Sequence, residues 1–338
     1  MTRPLTFVLL GHPVAHSVSP AIHGAAYRAL RVPHRYEVRD CPTPEHVRSQ
    51  VDAIRSGALA GANVTVPWKR LALELADRAD DSARATGVAN VLSCDAHGVV
   101  TASNTDAGAL AQEIAALHSA PRRAVVIGAG GAAQAAVVAC RSLGLVEVAV
   151  SSRGWLGGEP RTAWKHAATF ERLGAVPRAW PEHSADRRPE ALTAALLEAD
   201  VIVQATSAGM HGAGSGEAVS DWVPWRELKP GAIAIDVVYN PRVTPFLARA
   251  AAAGVAHTDG LGMLVRQAAL ALQIWLEHTD GWAELDLTAL SAAAEGALAE
   301  RGAQRDQHSA PEGHRHAPDE EQHAPLAPGH VPSEQGRR

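Results

Sequence analysis

Aromatic residues are scarce: phenylalanine, tyrosine and tryptophan make up 4% of the chain, so Ala, Val and Leu carry most of the apolar content. Cysteine is scarcer. Cys41, Cys94 and Cys140 are odd in number and far apart, with no C-x-x-C or C-x-x-x-H spacing. Neither a disulfide framework nor a zinc site is suggested. No long basic run occurs and the net charge is −5, which argues against nucleic acid as the partner. No stretch of about 18 apolar residues is free of charge, so no membrane span is expected. The opening MTRPLTFVLLGHP lacks a long apolar segment and a small-residue cleavage site. A reducing cytoplasm is the expected location.

What is present suits ordinary globular cores. The 338 residues are 46% hydrophobic and 20% charged, and that length corresponds to about two domains. Residues 6–10 read as a strand and 20–30 as a helix, with Ser19 as a plausible N-cap before Pro20. Residues 36–38, 62–66 and 88–92 read as strands, and 44–54 and 107–117 as helices. A clearer unit follows: strand 124–127, a glycine turn, helix 132–143 and strand 146–150. Further strands at 201–204 and 232–237 have helical neighbours, which implies a parallel sheet. Residues 261–276 and 285–298 read as apolar helices, and 155–160 and 212–225 as insertion loops. Residues 301–338 hold five prolines and five histidines and almost no aliphatics, so they are expected to form a disordered tail. His314 and His316 there read as solvated rather than metal-binding.

Gly128, Gly130 and Ala133 fit G-x-G-x-x-[G/A] between a strand and a helix. Such a turn lets the main chain approach a pyrophosphate, and the helix start offers unpaired N–H groups to it. An NAD site usually carries Asp or Glu at the end of the next strand, to bind the ribose 2′-hydroxyl. Here that strand runs into Ser151, Ser152, Arg153 and Gly154, and Glu147 stands at its other end. Arg153 can instead pair with a 2′-phosphate, so NADP(H) is the expected cofactor. Arg161 is a weaker second candidate.

Three polar clusters lie outside this unit. In GHPVAHSVSPAIH (11–23), Ser17 and Ser19 could hold a carboxylate near a positive helix end, or Ser19 could only cap. In ANVTVPWK (62–69), alternation points Asn63 and Thr65 to one face, with Lys69 just past the strand; a lone lysine there is usually solvated. In SNTD (103–106), Asn104 or Asp106 could be merely a helix cap.

In order with GAGGAA (128–133), ATSAGM (205–210), DVVYNPRVTPFL (236–247) and DGLGMLVRQ (259–267), these segments resemble the shikimate dehydrogenases over roughly residues 5–300. Seven motifs in sequence are far more specific than any one. The resemblance implies an α/β fold: an N-terminal α/β substrate-binding domain (1–106), an inserted Rossmann-type dinucleotide-binding domain (107–259), and C-terminal helices (260–300) returning to the substrate domain. It implies that Lys69 and Asp106 are the catalytic pair and that Ser17 and Ser19 bind the substrate carboxylate. Asn63, Thr65, Asn90 and Gln267 would bind ring hydroxyls, with Tyr239 beside the substrate. Gly128, Ala129, Gly130, Gly131 and Ala132 would form the phosphate loop, Arg153 with Ser152 would hold the 2′-phosphate, and Thr206, Val238 and Gly260 would line the cofactor's path.

The implied activity is reversible, NADP(H)-dependent reduction of 3-dehydroshikimate to shikimate, a step towards chorismate and aromatic amino acids. The implied partner is a small molecule, on a monomer or homodimer, with neither nucleic acid nor membrane. The sequence departs from the family pattern at Trp68, at Val88-Ala-Asn-Val91, at Ala102 and at Ser152-Arg-Gly154. None of these removes a catalytic group. The alternatives are a relative acting on quinate or an aminoshikimate, and a non-catalytic dinucleotide-binding relative. Ser19, rather than Thr, favours shikimate over quinate, and the intact Lys69 and Asp106 argue against a non-catalytic protein.

Overall fold

Runs that are apolar at consecutive positions suit strands covered on both faces, and alternation suits strands covered on one. Both occur in the computed structural model, which describes residues 3–156, 160–181, 189–276 and 285–309. The first half contains β1 (Thr6–Gly11), α1 (Ser19–Ala29), β2 (Arg35–Asp40), α2 (Pro44–Arg55), β3 (Gly61–Val64), α3 (Lys69–Leu75), β4 (Arg78–Ala79), α4 (Asp81–Thr86), β5 (Val91–Cys94), β6 (Val100–Ser103) and α5 (Asp106–Leu117). Then come β7 (Arg123–Ile127), α6 (Gly131–Ser142), β8 (Glu147–Ser151), α7 (Ala167–Arg172), β9 (Val176–Arg178), α8 (Glu190–Leu197), β10 (Val201–Gln204), α9 (Glu217–Ser220), β11 (Ile233–Asp236), α10 (Pro245–Ala252), β12 (Ala256–Thr258), α11 (Leu261–Leu276) and α12 (Leu287–Ser309).

These strands form two six-stranded sheets. The first has the order β2-β1-β3-β5-β6-β4 and mixes parallel and antiparallel pairs. The second has the order β12-β11-β10-β7-β8-β9 and is parallel throughout. Read from its β9 edge it is the 3-2-1-4-5-6 order of a Rossmann sheet. Its central strands β7 and β10 are buried at Val125, Val126, Val201 and Val203 because helices cover both faces. Burying a side chain of valine or leucine size contributes roughly 1.5–3 kcal/mol.

Helix α11 shows how the last part of the chain returns to the first sheet. Leu261, Val265, Ala268, Leu272 and Leu276 recur at helical spacing and bury against Phe7, Val18 and Ile22. Trp275 stacks on Phe7 with ring centroids 4.5 Å apart and donates to the Leu92 carbonyl at 3.1 Å. Helix α5 packs against both α6 and α11, so it touches the two sheets' layers.

Several elements differ from their expected form. Ser19 is the first residue of α1 and not its cap; Val18 occupies that position, and the Ser19 hydroxyl is engaged by Ser17 instead. Helices α3 and α4 and strands β4 and β6 were not expected. They are short, and their sequences carry little periodicity. The loop at 212–225 buries Val219, Trp222 and Trp225, so it belongs to the core. Both sheets lie in one unit, Met1–Glu300. A second unit, Arg301–Arg338, is helical as far as Ser309, so the expected tail does not begin at residue 301. Good helix formers such as Ala303 and Gln304 account for this. Residues 310–338, with His314 and His316, lie outside the described residues, as does the side chain of Arg161.

Candidate active site

Polar residues gather where strands of the first sheet end. Asn63 is near the end of β3, Asn90 immediately precedes the antiparallel β5, and Asp106 opens α5 just after β6. Lys69 opens α3, one turn beyond β3. Its Nζ lies 2.5 Å from Asp106 Oδ2, with the two side chains 18% and 8% exposed. A lysine held this way is not a solvated surface group. Asn90 Nδ2 lies 2.8 Å from Asp106 Oδ1, 3.0 Å from Thr105 Oγ1 and 3.4 Å from Gln267 Oε1. One amide thereby joins the catalytic candidate to α11.

The open question at 103–106 is resolved by these bonds. Thr105 is the N-cap of α5, and Asn104 Oδ1, one residue earlier, accepts from the Asp106 and Ala107 N–H groups at 3.1 and 3.3 Å, so Asn104 satisfies the first donors of the helix. Asp106 is free of that duty and its carboxylate faces Lys69 and Asn90. At the other end of the cluster, Ser17 Oγ donates to Ser19 Oγ at 3.0 Å. Asn63 Nδ2 donates to the Asn90 carbonyl at 3.3 Å.

The second sheet presents main chain at its carboxyl edge. Gly128 follows β7 with φ +132, and a Cβ there would stand 2.8 Å from the Ala205 carbonyl oxygen, so only glycine fits. No side chain caps α6 at Gly130, and a Cβ on Gly130 would meet nothing within 4 Å. The first N–H groups of α6 thus face an open approach, which suits a pyrophosphate. Ser152 and Arg153 follow β8, Arg153 exposed, and no acid stands there. Glu147 lies at the opposite end, paired with Arg123 and Arg178 at 3.7 and 3.3 Å.

Two residues to which the sequence assigns no role organise this edge. Gln204 and Asp236 end β10 and β11 and are fully buried. Gln204 Oε1 accepts from Thr206 N at 2.5 Å and its Nε2 donates to Asp236 Oδ1 at 3.2 Å. Asp236 also accepts from Val238 N at 2.9 Å and from Thr244 Oγ1 at 2.6 Å. The signal available in the sequence was a polar residue closing an otherwise apolar strand. Burial pushes the Asp236 carboxyl up to about 6 despite those three donors, with the nearby Asp259 adding to the rise.

The two groups meet. A Cβ on Gly131 would lie 3.6 Å from Val88 and 3.7 Å from Lys69 Cδ, so the lysine stem borders the glycine loop. Gly260 donates its N–H to the Val238 carbonyl at 3.0 Å and has no room for a Cβ beside Val237. That contact holds the start of α11 against the β11 exit, where Tyr239 packs on the α11 cluster.

Similarity to known proteins agrees with this arrangement. A relative from Caulobacter vibrioides named shikimate dehydrogenase (NADP(+)) is 37% identical over 262 residues, covering 76% of this chain and 85% of the relative. The chain belongs to the shikimate dehydrogenase family. The family pattern described as shikimate dehydrogenase substrate binding domain matches residues 9–92. A second relative of the same name, from Methylobacterium radiotolerans, is 37% identical over 284 residues, 81% of this chain and 92% of its own length. The shikimate 5-dehydrogenase of Thermus thermophilus, solved with NADP(H) and shikimate, has 31% identity and a TM-score of 0.69. That match covers 87% of this chain and 99% of the solved one.

Within this family frame, the structure joins Lys69, Asp106, Asn90, Asn63 and Gln267 by direct bonds, and pairs Ser17 with Ser19. Thr65 is half-buried, with its Cγ2 so close to Gly11 that a Cβ has no room there. Thr206 packs against Gly128, while Arg153 and Ser152 stand apart past β8. No helix among the described residues is long and apolar enough to cross a membrane.

Proposed function

We propose that the chain is an NADP-dependent shikimate dehydrogenase that interconverts shikimate and 3-dehydroshikimate. The observation that carries this is the Lys69–Asp106 pair, 2.5 Å apart, on the border of the glycine loop. Ketone reduction needs a hydride at carbon and a proton at oxygen, and NADPH, when bound, supplies the hydride. Lys69 holds the proton at Nζ, delivers it to the carbonyl oxygen and stabilises the developing alkoxide charge. Asp106 fixes the ammonium through Oδ2, and its Oδ1 is held by Asn90.

Ser17 and Ser19 hold the substrate carboxylate near the start of α1, and Asn63, Thr65, Asn90 and Gln267 hold ring hydroxyls, with Tyr239 alongside. Gly128, Ala129, Gly130, Gly131 and Ala132 take the pyrophosphate. Ser152 and Arg153 take the 2′-phosphate, and Thr206, Val238 and Gly260 line the rest of the cofactor. In this reading residues 1–106 and 260–300 form the substrate domain and 107–259 the dinucleotide domain, in a cytoplasmic monomer or homodimer. Steady-state oxidation of shikimate and of quinate, each with NADP and NAD, tests it. Shikimate with NADP is expected to give the highest kcat/KM; a preference for quinate or NAD overturns the assignment.

A further inference from the structure

We infer that Tyr36 is a positioning residue of the substrate site: its hydroxyl holds the Asn63 amide by the oxygen, so that the nitrogen end serves the bound ring. The inference rests on the proposed function, because it takes the substrate to lie on Ser19 and Asn63. Tyr36 comes from β2, an edge strand of the first sheet, and belongs to none of the motifs that mark the site.

Its hydroxyl donates to Asn63 Oδ1 at 2.7 Å. A phenol has one proton, and that bond uses it. Oδ1 is therefore the end of the amide turned towards Tyr36, and Nδ2 is turned away. One Nδ2 hydrogen meets the Asn90 carbonyl at 3.3 Å. An amide nitrogen carries two, so the second is left for a ligand oxygen. The two ends of an amide are nearly the same size; the Asn90 carbonyl, which can only accept, and the tyrosine proton together make them unequal here. The Asn63 orientation is thus a donor orientation, suited to a hydroxyl or alkoxide oxygen.

Through Asn63 the Tyr36 hydroxyl is linked to the Asn90 main chain, and the Asn90 side chain is bonded to Asp106, which holds Lys69. The ring itself is held still. It stacks face to face on the fully buried His23, with centroids 4.0 Å and planes 3° apart. Burial keeps that imidazole neutral, its pKa pushed down to about 3 with the Asn63 side chain opposing the fall. The stack stays uncharged across the working pH range.

Tyr36→Phe keeps the stack and removes only the hydroxyl. In steady-state oxidation of shikimate with NADP, KM for shikimate is expected to rise about tenfold, the size of one lost hydrogen bond that fixes a ligand group. Turnover should stay within about twofold and KM for NADP unchanged, because neither Lys69 nor the glycine loop is touched. In an Asn63→Ala background the same change should add less than about twofold, since its effect travels through that amide. A purely structural tyrosine would instead give the full rise in both backgrounds. If the phenylalanine protein does not fold, Tyr36→4-fluorophenylalanine fills the same volume without a donor and carries the same expectations. An unchanged KM, or an equal rise in the Asn63→Ala background, overturns the inference. Wild-type protein that fails to oxidise shikimate overturns the proposed function itself, whereas active wild type with an indifferent Tyr36→Phe variant overturns only the role of Tyr36.

Discussion

The two sheet edges that face each other are made of different material. On the first sheet, side chains do the holding: Lys69, Asp106, Asn90 and Asn63 are linked by bonds across many residues of sequence, and Ser17 bonds Ser19. On the second, the main chain is presented: Gly128 sets its turn, and Gly130 and Gly131 leave the start of α6 uncovered. A substitution on the first edge should therefore remove a chemical group while leaving cofactor binding intact. One on the second should deform a surface and spare the chemistry.

The sharpest way to break that contrast is Lys69→Ala. Proton transfer and charge stabilisation matter most in the transition state. Turnover should fall by about 10²–10⁴-fold, with KM for shikimate changed much less, because the other ligands remain. Lys69→Arg should not restore it, since a guanidinium keeps its proton near neutral pH. Steady-state kinetics on folded variants decides this, and a loss of affinity alone would make Lys69 a binding residue.

Gly128→Ala attacks the other edge. The positive φ and the 2.8 Å approach to the Ala205 oxygen leave no place for a methyl group. Strain of this kind costs about 1–3 kcal/mol, so KM for NADP should rise roughly 10–100-fold. Shikimate affinity, measured by equilibrium binding without cofactor, should be unaltered. If shikimate binding weakens equally, the edges are not separable.

A smaller effect is expected at Arg153, the exposed side chain past β8. Arg153→Ala removes a charge-assisted contact worth about 1.5 kcal/mol at the low end, which suits an exposed position. KM for NADP should rise about tenfold and that for NAD should not move. Equal changes for both cofactors would mean that the arginine only shapes its loop.

The same contrast explains what could be read in the sequence. Main-chain demands leave local marks. The glycine turn, its flanking strand and helix, and the missing acid after β8 lie within about thirty residues of one another. Helix α11 carried enough periodicity for its bounds, Leu261–Leu276, to be legible. Side-chain partnerships leave no such mark. Nothing in RYEVRD of β2 says that its tyrosine reaches Asn63, and nothing at Gln204 says that it holds Asp236. Ser19 read locally as a cap, and Asn104 and Asp106 as alternative caps; local bonds of Ser17 and Asn104, with long-range bonds from Lys69 and Asn90 to Asp106, assigned those duties differently. The short α3, α4, β4 and β6 escaped notice because packing decides segments of that length more than propensity does.

Asp236 and Gln204 are the exceptions on the second edge, buried side chains that hold main-chain loops, and Asp236 provides a test read in stability rather than in kinetics. Its carboxyl is raised from 3.8 to about 6, chiefly by burial. Between those values the folded protein binds the proton more tightly than the unfolded chain does. Unfolding free energy therefore falls as pH rises through that window. The contribution of this group is fully present below about pH 4 and is lost by the time pH has passed the folded value. The shift corresponds to on the order of 2–3 kcal/mol, or a change in Tm of about 5 °C. Asp236→Asn removes the ionisation. Its Oδ1 can still accept from Val238 and Gln204, and the Thr244 hydroxyl can rotate to accept from the new amide. Relative to the variant, wild-type Tm should thus drop by several degrees between about pH 4.5 and 7, with the crossover near 6. Parallel Tm profiles would mean that the three donors outweigh burial and that the carboxylate is charged throughout. The loops bearing Thr206 and Val238 would then be fixed by an ordinary ion, and the second edge would owe more to side-chain electrostatics than its glycines suggest.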